Sequence, residues 1–507
     1  MDSYTLCLLL TIIGGYFSLR TIYRIYFHPL SKIPGPKLTA ASHLYEFYYD
    51  VVKGGKFIFQ IEKMHEKYGP IVRINPREIH INDPTFYDDI YAGSTVKRDK
   101  DPHFVPVYGV PNSMLSTIGH EHHRFRRNIL NNFFSKRSVL ELAPLVEERV
   151  QKLMSRFEEF YKTQQVVRMD DAYAALTSDV ITAYSYGKSW RFLEDNGFRS
   201  DIRDAVVDIT SAIHFSRFFP LVMSAVRALP LWALMVLQPG KTSLLKFQAD
   251  VYQESTNGQK GASSEKKTEN QVRRNIFEKL TDPTIPPKEK TLPRLQDEAV
   301  VLLAAGTETT GRALTIGTFY MTAYPEIRER LRQELRGVMP TPASTVSWTE
   351  LEKLPYLNGV VYESLRLAYG LTMRLPRVSP DEPLRYQDYI IPAMTPMSSS
   401  SYLIHRNETI FPNAATFDPE RWARANEEGK HLTRYITSFT RGTRVCLGMN
   451  LAYMELYLTI ASFVRRFDID LHDTTFEDIR VTHDMGVGFT RRGDVKVYGK
   501  VSRVVEY

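Results

Sequence analysis

The run Phe439-Thr440-Arg441-Gly442-Thr443-Arg444-Val445-Cys446-Leu447-Gly448 holds one of only two cysteines in the chain. Glycines flank that cysteine, four residues before it and two after, an arginine stands two before, and a phenylalanine opens the run. Glycine lets the backbone turn tightly and come close to a flat ligand. The thiolate is the metal-binding form of cysteine, and nearby cations and backbone N–H groups favour it. One cysteine cannot complete a zinc or iron–sulfur site. It suffices as the single axial ligand of a haem iron, whose four in-plane ligands come from the porphyrin. The plain alternative is a loop around a buried structural thiol, a common place for free cysteine.

A second stretch with chemical potential is Ala304-Ala305-Gly306-Thr307-Glu308-Thr309-Thr310-Gly311. It sits within residues 295–324, a proline-free, mostly apolar run ended by Pro325, which reads as a long helix buried on more than one side. Gly306 costs such a helix about 1 kcal/mol relative to alanine, so a close neighbour or ligand is expected there. Ala305 and Thr309 share a face at i,i+4 spacing, and Glu308 sets an acid beside the Thr309 hydroxyl. The plain reading of such a threonine is a bond back to its own i−4 carbonyl.

Other elements must hold these two stretches in place. Glu363 and Arg366 lie at i,i+3 on one helical face, by itself a common surface pair worth under about 1 kcal/mol. Residues 120–132 are strongly basic, and both His122 with Arg126 and His123 with Arg127 have the i,i+4 spacing that puts a pair on one face. Val72, Ile74, Ile79 and Ile81 alternate with period two around Asn75-Pro76, which predicts two short strands, with the next helix starting at Asp83-Pro84. Residues 145–200 read as helical with little visible chemistry. Residues 213–238 are rich in Phe, Leu, Trp and Val but carry Pro220 and Pro230, with Pro239 just beyond, and so cannot form one helix. They are core or a lid. Residues 254–270 are polar and low in complexity, an exposed loop rather than a domain linker.

At the N-terminus, residues 4–19 are apolar apart from small hydroxyl side chains, and Arg20 and Arg24 follow. A cleaved signal peptide carries its positive charge before the apolar core, whereas here Asp2 precedes it. Extended by residues 21–27, the run approaches the ~20 residues that span a bilayer, and the following arginines leave the bulk of the chain in the cytosol. An interfacial or buried helix is the alternative. Ile33-Pro34-Gly35-Pro36 breaks the helix and predicts a stiff hinge between anchor (1–27) and body (28–507).

Composition is that of an ordinary globular protein: 507 residues, 43% hydrophobic, 24% charged, net charge +7. The positive balance suits a membrane surface or an acidic protein partner. Without zinc-finger spacing or a lysine-rich tail, nucleic acid is excluded as a partner. Cys7 lies inside the apolar run, so a disulfide with Cys446 is implausible and the body fits a reducing compartment.

The cysteine run matches Phe-x-x-Gly-x-Arg-x-Cys-x-Gly at every fixed position, and the chain resembles the cytochrome P-450 family of haem-thiolate monooxygenases over nearly its whole length. The resemblance implies a mostly α fold with small β-sheets in a single large domain behind an N-terminal membrane anchor helix. It implies haem b with Cys446 as the axial thiolate, the loop residues Phe439, Gly442 and Arg444 around the haem, and Arg444 on a propionate. It implies a His–Arg pair on a propionate, with His123 and Arg127 preferred to His122 and Arg126 because of the following Leu130-Asn131 and Phe133-Phe134-Ser135. It implies a further propionate contact from Arg377, with Arg374 as competitor and His405 as a weaker candidate, a capped loop histidine being its plainer reading. Residues 369–373 line the substrate cavity. The central stretch resembles the family's acid–threonine motif, so that Thr309 bonds the oxygen being activated, Glu308 joins the proton relay, and Ala305 and Gly306 leave room above the ring. Glu363 and Arg366, with Arg421 from Pro419-Glu420-Arg421-Trp422, form a structural network behind the haem loop.

No GxGxxG dinucleotide fold or flavin site is present in good context. The resemblance therefore implies electrons from a membrane-bound NADPH-dependent cytochrome P-450 reductase, O2 as co-substrate, an apolar small-molecule substrate and the endoplasmic reticulum membrane. Arg441 is left as a candidate contact for an acidic partner. Phe27-His28-Pro29-Leu30-Ser31-Lys32 and residues 67–83 and 123–135 look most like fungal secondary-metabolism enzymes of the trichodiene oxygenase type, which oxidise terpenoids. A haem-thiolate isomerase or dehydratase would use the same cysteine but usually departs from the Glu–Thr pair, which is intact here. A haem sensor would need neither anchor nor relay.

Overall fold

The computed structural model describes residues 3–237, 245–246, 249, 252–253 and 275–505. The loop expected over residues 254–270 lies outside them. Helices dominate, and the strands form one five-stranded sheet, one of three strands and two of two.

The centre of the molecule is the helix Leu292–Ala323. Pro293 occupies its first turn, where no amide is needed, and Pro325 opens the next helix. Along one side it packs on Met169–Tyr186, almost entirely buried; on others it meets Pro355–Ala368 and Met449–Arg466, the helix that follows the cysteine loop. Where it crosses Met169–Tyr186, the glycine positions are needed. A Cβ at Gly306 would lie 2.9 Å from the Ile181 side chain, and one at Gly311 would lie 3.2 Å from the backbone of Ala174.

The five-stranded sheet runs in the order Ile71–Arg73, Ile79–Ile81, Met397–Ser398, Arg377–Val378, Asp99–Lys100. The first two pair antiparallel with Ile71 opposite Ile81. The expected strands are thus present, but both are buried on both faces rather than alternating. Arg73 stays inside because its guanidinium donates to the carbonyls of Arg24 (2.7 Å) and Pro76 (2.8 Å). Asp83 caps a turn through the Thr85 N–H, and the next helix starts later than expected, at Tyr87.

A helix of Ser3–Ile22 continues through Tyr23–Phe27, 25 residues with none buried and an 18-residue window of mean hydropathy 1.6. By length and composition it can cross a membrane. The proline hinge after it is docked rather than free. Leu30 and Ile33 join the core beside Ile71 and Ile79, and the Arg73 amide donates to the Pro34 carbonyl. Residues 213–237 form three short helices, Ile213–Phe218, Pro220–Arg227 and Leu231–Leu237, broken at the prolines as expected. They are not core. Leu221 is 85% exposed, Trp232 70% and Val236 74%, an apolar surface that water alone does not explain.

Candidate active site

The cysteine loop is closed by the Cys446 amide, which donates to the Phe439 carbonyl at 2.8 Å. At Gly442 the chain takes φ +70°, and a Cβ there would lie 2.1 Å from the Ala92 carbonyl oxygen. Only glycine satisfies both conditions. Phe439 packs its ring 5.2 Å from Tyr453 on the following helix.

Cys446 lies deep in the protein, yet its side chain is open. Ala304 and Ala305 are likewise open in the middle of the otherwise buried central helix. A Cβ on Gly448 would meet nothing within 4 Å. Burial pushes the Cys446 thiol above its ordinary pKa, while the Gly448 amide and Arg127 pull it down. Those are the conditions under which a bound metal cation, rather than solvent, would hold the thiolate.

Near Cys446 four basic side chains and one neutral histidine gather. Arg127 donates to the Val445 carbonyl at 2.6 Å, and Arg444 donates to the Thr117 carbonyl at 2.7 Å and also to that of Ile118. Lys100 reaches the Leu115 carbonyl and stands 4.2 Å over the Tyr108 ring. Arg377 donates to the carbonyls of Leu375 and Pro376 at 3.2 Å. The fifth is the buried His123, whose pKa falls to about 2 through burial and then through Arg444, Lys100, Arg127 and Arg377. Burial with Arg377 lowers Arg444 to about 9, and burial with Arg377 and Arg444 pulls Lys100 well down. None of the five forms an ion pair among the described residues. Carbonyl oxygens satisfy the hydrogens but leave the charge uncompensated, and buried charge without a counter-charge is costly. A dianionic ligand with two carboxylates, as haem is, fits this cradle, and the open cysteine and alanines fit its flat body.

The structure separates the alternatives left by the sequence. His122 and Arg126 both turn to Glu289, at 2.8 and 2.7 Å, away from the loop. Arg374 is absorbed by Glu78 at 2.8 Å and by Glu46. His405 is a capped core histidine: its Nε2 accepts from the Thr437 amide at 2.9 Å, so Nδ1 carries the proton to the Arg366 carbonyl at 2.9 Å. Arg441 is not free for a partner, because it bonds Asp88 at 2.8 Å. Tyr369 lines a separate cleft of about 870 Å³ with Phe59 and Tyr402.

Glu363, Arg366 and Arg421 come together in full burial. Arg366 grips both Glu363 oxygens (2.8 and 2.6 Å), Arg421 approaches at 3.3 Å, and the Trp422 indole and Asp418 amide donate to the same carboxylate. Arg366 also donates to the His405, Ala414 and Thr416 carbonyls, tying the segment ahead of the cysteine loop to the helix.

Thr309 makes the back-bond, donating to the Ala305 carbonyl at 2.8 Å. Glu308 does not bond Thr309. It meets Arg203 at 3.0 Å and Arg312 at 3.3 Å. Sequence reasoning missed these partners, and it missed Lys100. The signals were there: Asp170-Asp171 is a pair of adjacent acids at the head of an apolar helix, and Lys100 follows Asp99 in a stretch otherwise unassigned.

A family model described as Cytochrome P450 matches residues 42–495. The fold and the cysteine loop are those of a haem-thiolate enzyme, and the chain belongs to the cytochrome P-450 family. It is a monooxygenase of that family. It is 42% identical over 491 residues to the cytochrome P-450 monooxygenase TRI4 of Fusarium sporotrichioides (97% of this chain, 93% of the relative). It is 41% identical over 494 residues to TRI4 of Trichoderma arundinaceum, with the same coverage. Conidiogenone synthase PchP450 of Penicillium rubens is 44% identical over 504 residues, covering 97% and 98%. The family implies a haem held by a cysteine thiolate.

Proposed function

We propose that this monooxygenase oxidises an apolar terpenoid intermediate of secondary metabolism, drawing electrons from an NADPH-dependent cytochrome P-450 reductase at the endoplasmic reticulum membrane. The observation that carries the reading is an open Cys446 side chain deep in the protein, with Arg127, Arg377, Arg444 and Lys100 gathered near it without a counter-charge and open alanines in the central helix. The relatives' names, TRI4 and conidiogenone synthase, support the metabolic class.

Cys446 would hold the haem iron through its thiolate, and His123, Arg127, Arg377, Arg444 and Lys100 would hold the haem carboxylates. Bound haem would supply the activation of O2 and the oxidation of the substrate. The small side chains of Ala304 and Ala305 would leave room for a flat ligand beside the helix. Thr309 offers its hydroxyl at the Ala305 step of the helix wall, where it can release the back-bond and orient a proton. Glu308 is the nearest acid in sequence and is the candidate proton donor, held back by Arg203 and Arg312. Apolar walls exclude water from the reacting centre.

Residues 1–27 anchor the body (28–507) in the bilayer. The exposed apolar side chains of Pro220–Arg227 and Leu231–Leu237 dip into the same surface and roof the entrance. Phe218 and Phe219 pack against Phe47 at 5.2 and 6.0 Å, which joins this roof to the segment after the anchor. This contact supports a shared membrane-facing side for anchor and roof.

The test has two arms. Reduced wild-type protein should give the thiolate-type CO difference band, and Cys446→Ser should lose it. Mass spectrometry of products formed with reductase, NADPH and a terpene panel should then find a hydroxylated or epoxidised product. Loss of the first result removes the ligand assignment; failure of the second across the panel removes the terpenoid class.

A further inference from the structure

The cleft beside Tyr369 lies apart from the haem site. It holds about 870 Å³, and its wall carries no residue of the cysteine loop and none of residues 304–309. Ile316 is the central-helix residue on the wall closest to Thr309, about 10 Å further along the axis. A ligand held there is out of reach of the oxidation, so the cleft is a second site and not an extension of the first.

Its two ends differ. The inner end is apolar and aromatic: Ile316, Tyr320, Leu367, Tyr369 and Tyr402 are all buried. Tyr369 takes φ +63°, a backbone conformation that side chains rarely adopt, and its ring lies 5.0 Å from that of Tyr402. The outer end is basic. Lys53, Lys56, Lys63, Arg406 and Arg480 stand on the wall against only Glu62 and Glu477, and all five but Lys56 are exposed. Arg406 meets Glu62 at 3.7 Å and Arg480 meets Glu477 at 3.2 Å. The three lysines form no ion pair among the described residues. Lys56 is turned inward: it donates to the Thr482 carbonyl and stands 5.5 Å over the Phe59 ring. Exposed lysines alone are an ordinary solvated surface. Here they rim an aromatic hollow within the roughly 300–1,000 Å³ of small-molecule sites. The rim also adjoins an apolar surface. Tyr49 and Lys53 line the cleft, while Tyr48 and Val52 of the same turn (Tyr48–Val52) are exposed, and Phe47 packs on the roof residues Phe218 and Phe219.

We propose that this cleft binds an amphipathic organic anion, a carboxylate or phosphate head on a long apolar body, at a site separate from the haem. The head lies among Lys53, Lys56 and Lys63, and the body runs inward past Tyr369 and Tyr402 to Ile316. The unpaired lysines set the sign of the head, and the ring-lined floor sets the character of the body. Two sources share this chemistry: a free fatty acid and an acidic phospholipid. Exposed Tyr48 and Val52 bring the rim to a lipid surface from which either can enter.

The experiment titrates the full-length haem enzyme, in phosphatidylcholine nanodiscs, with a dansyl-labelled fatty acid. An azole is first bound at the haem iron to close the haem site. Wild type should bind the probe, more weakly as salt is raised, and oleate should displace it. Lys63→Glu combined with Arg480→Glu reverses two exposed charges at the rim and should weaken binding at least several-fold. Gln60→Trp, on the wall helix Phe57–Tyr68, fills the cleft and should abolish binding; if it does not fold, the charge reversal decides alone. Both variants should keep the CO band and the Soret shift on azole binding. Replacing part of the phosphatidylcholine by phosphatidic acid separates the sources: loss of bound probe identifies the phospholipid, and undisturbed probe identifies the free acid. No probe binding to the azole-bound wild type, or wild-type affinity in a folded variant, overturns the site. No turnover enters the measurement, so its failure leaves the monooxygenase reading intact.

Discussion

Lys100 and Arg377 lie directly opposite one another across an antiparallel strand pair, both buried. Like charges facing across strands destabilise a sheet by up to about 1 kcal/mol even where water screens them. Nothing in the described chain offsets this pair with an anion. The pair is accounted for if a carboxylate of the ligand lies against it. Lys100→Met should therefore raise the melting temperature of the haem-free chain while weakening haem binding several-fold by Soret titration. A variant with lower stability and unchanged haem affinity would place Lys100 outside the cradle.

His123 gives a pH dependence with a definite sign. Its folded-state pKa, about 2, lies below the ordinary 6.5. Between those values the folded haem-free chain binds fewer protons than the unfolded one. Stability is full above about pH 6.5 and falls as pH drops toward 2, by at most about 1.4 kcal/mol per pH unit for one proton. Urea unfolding at pH 7 and pH 5 should register the loss, and His123→Asn should flatten it. Haem carboxylates beside His123 would raise its pKa, so the holoenzyme should lose less.

Glu363, fully buried, accepts from Arg366, Trp422 and the Asp418 amide. Removing one partner of such a network costs about 3–5 kcal/mol. Glu363→Ala should yield little soluble haem protein, judged by the ratio of Soret to protein absorbance. A stable, fully loaded Glu363→Ala would contradict a structural role for the network.

Gly442 should tolerate no side chain. Gly442→Ala would strain a φ of +70° and drive a methyl into the Ala92 and Tyr91 carbonyls. Haem occupancy should collapse, whereas Gly448→Ala, with open space around it, should fold normally and shift only the haem spectrum. Equal behaviour of the two variants would refute this reading of the loop.

Thr309→Ala removes the hydroxyl and its bond to Ala305 while leaving the thiolate untouched. The CO band should persist and NADPH consumption should continue, with several-fold more electrons lost to peroxide. Unchanged coupling would take Thr309 out of proton delivery.

The ligand loop, the long helix with its glycine and threonine, and the Glu363–Arg366 pair were all readable from residues close together in the chain. So was the broken segment after residue 213, since proline acts on its own turn. Its exposure was not readable: apolar composition is the same for core and for a membrane-facing surface, and only packing distinguishes them.

Contiguous spacing carried the chemistry of Cys446, because a glycine-bounded loop and an i,i+4 helix face are local geometry. The partners of the charged groups needed the folded chain. Arg203 reaches Glu308 across 105 positions and Asp494 across 291; Arg441 finds Asp88 across 353; Lys100 meets Arg377 through strand register. A charge has no preferred spacing along the sequence. Its effect depends on which opposite charge burial brings within a few ångströms, and the packing of distant helices and strands sets that.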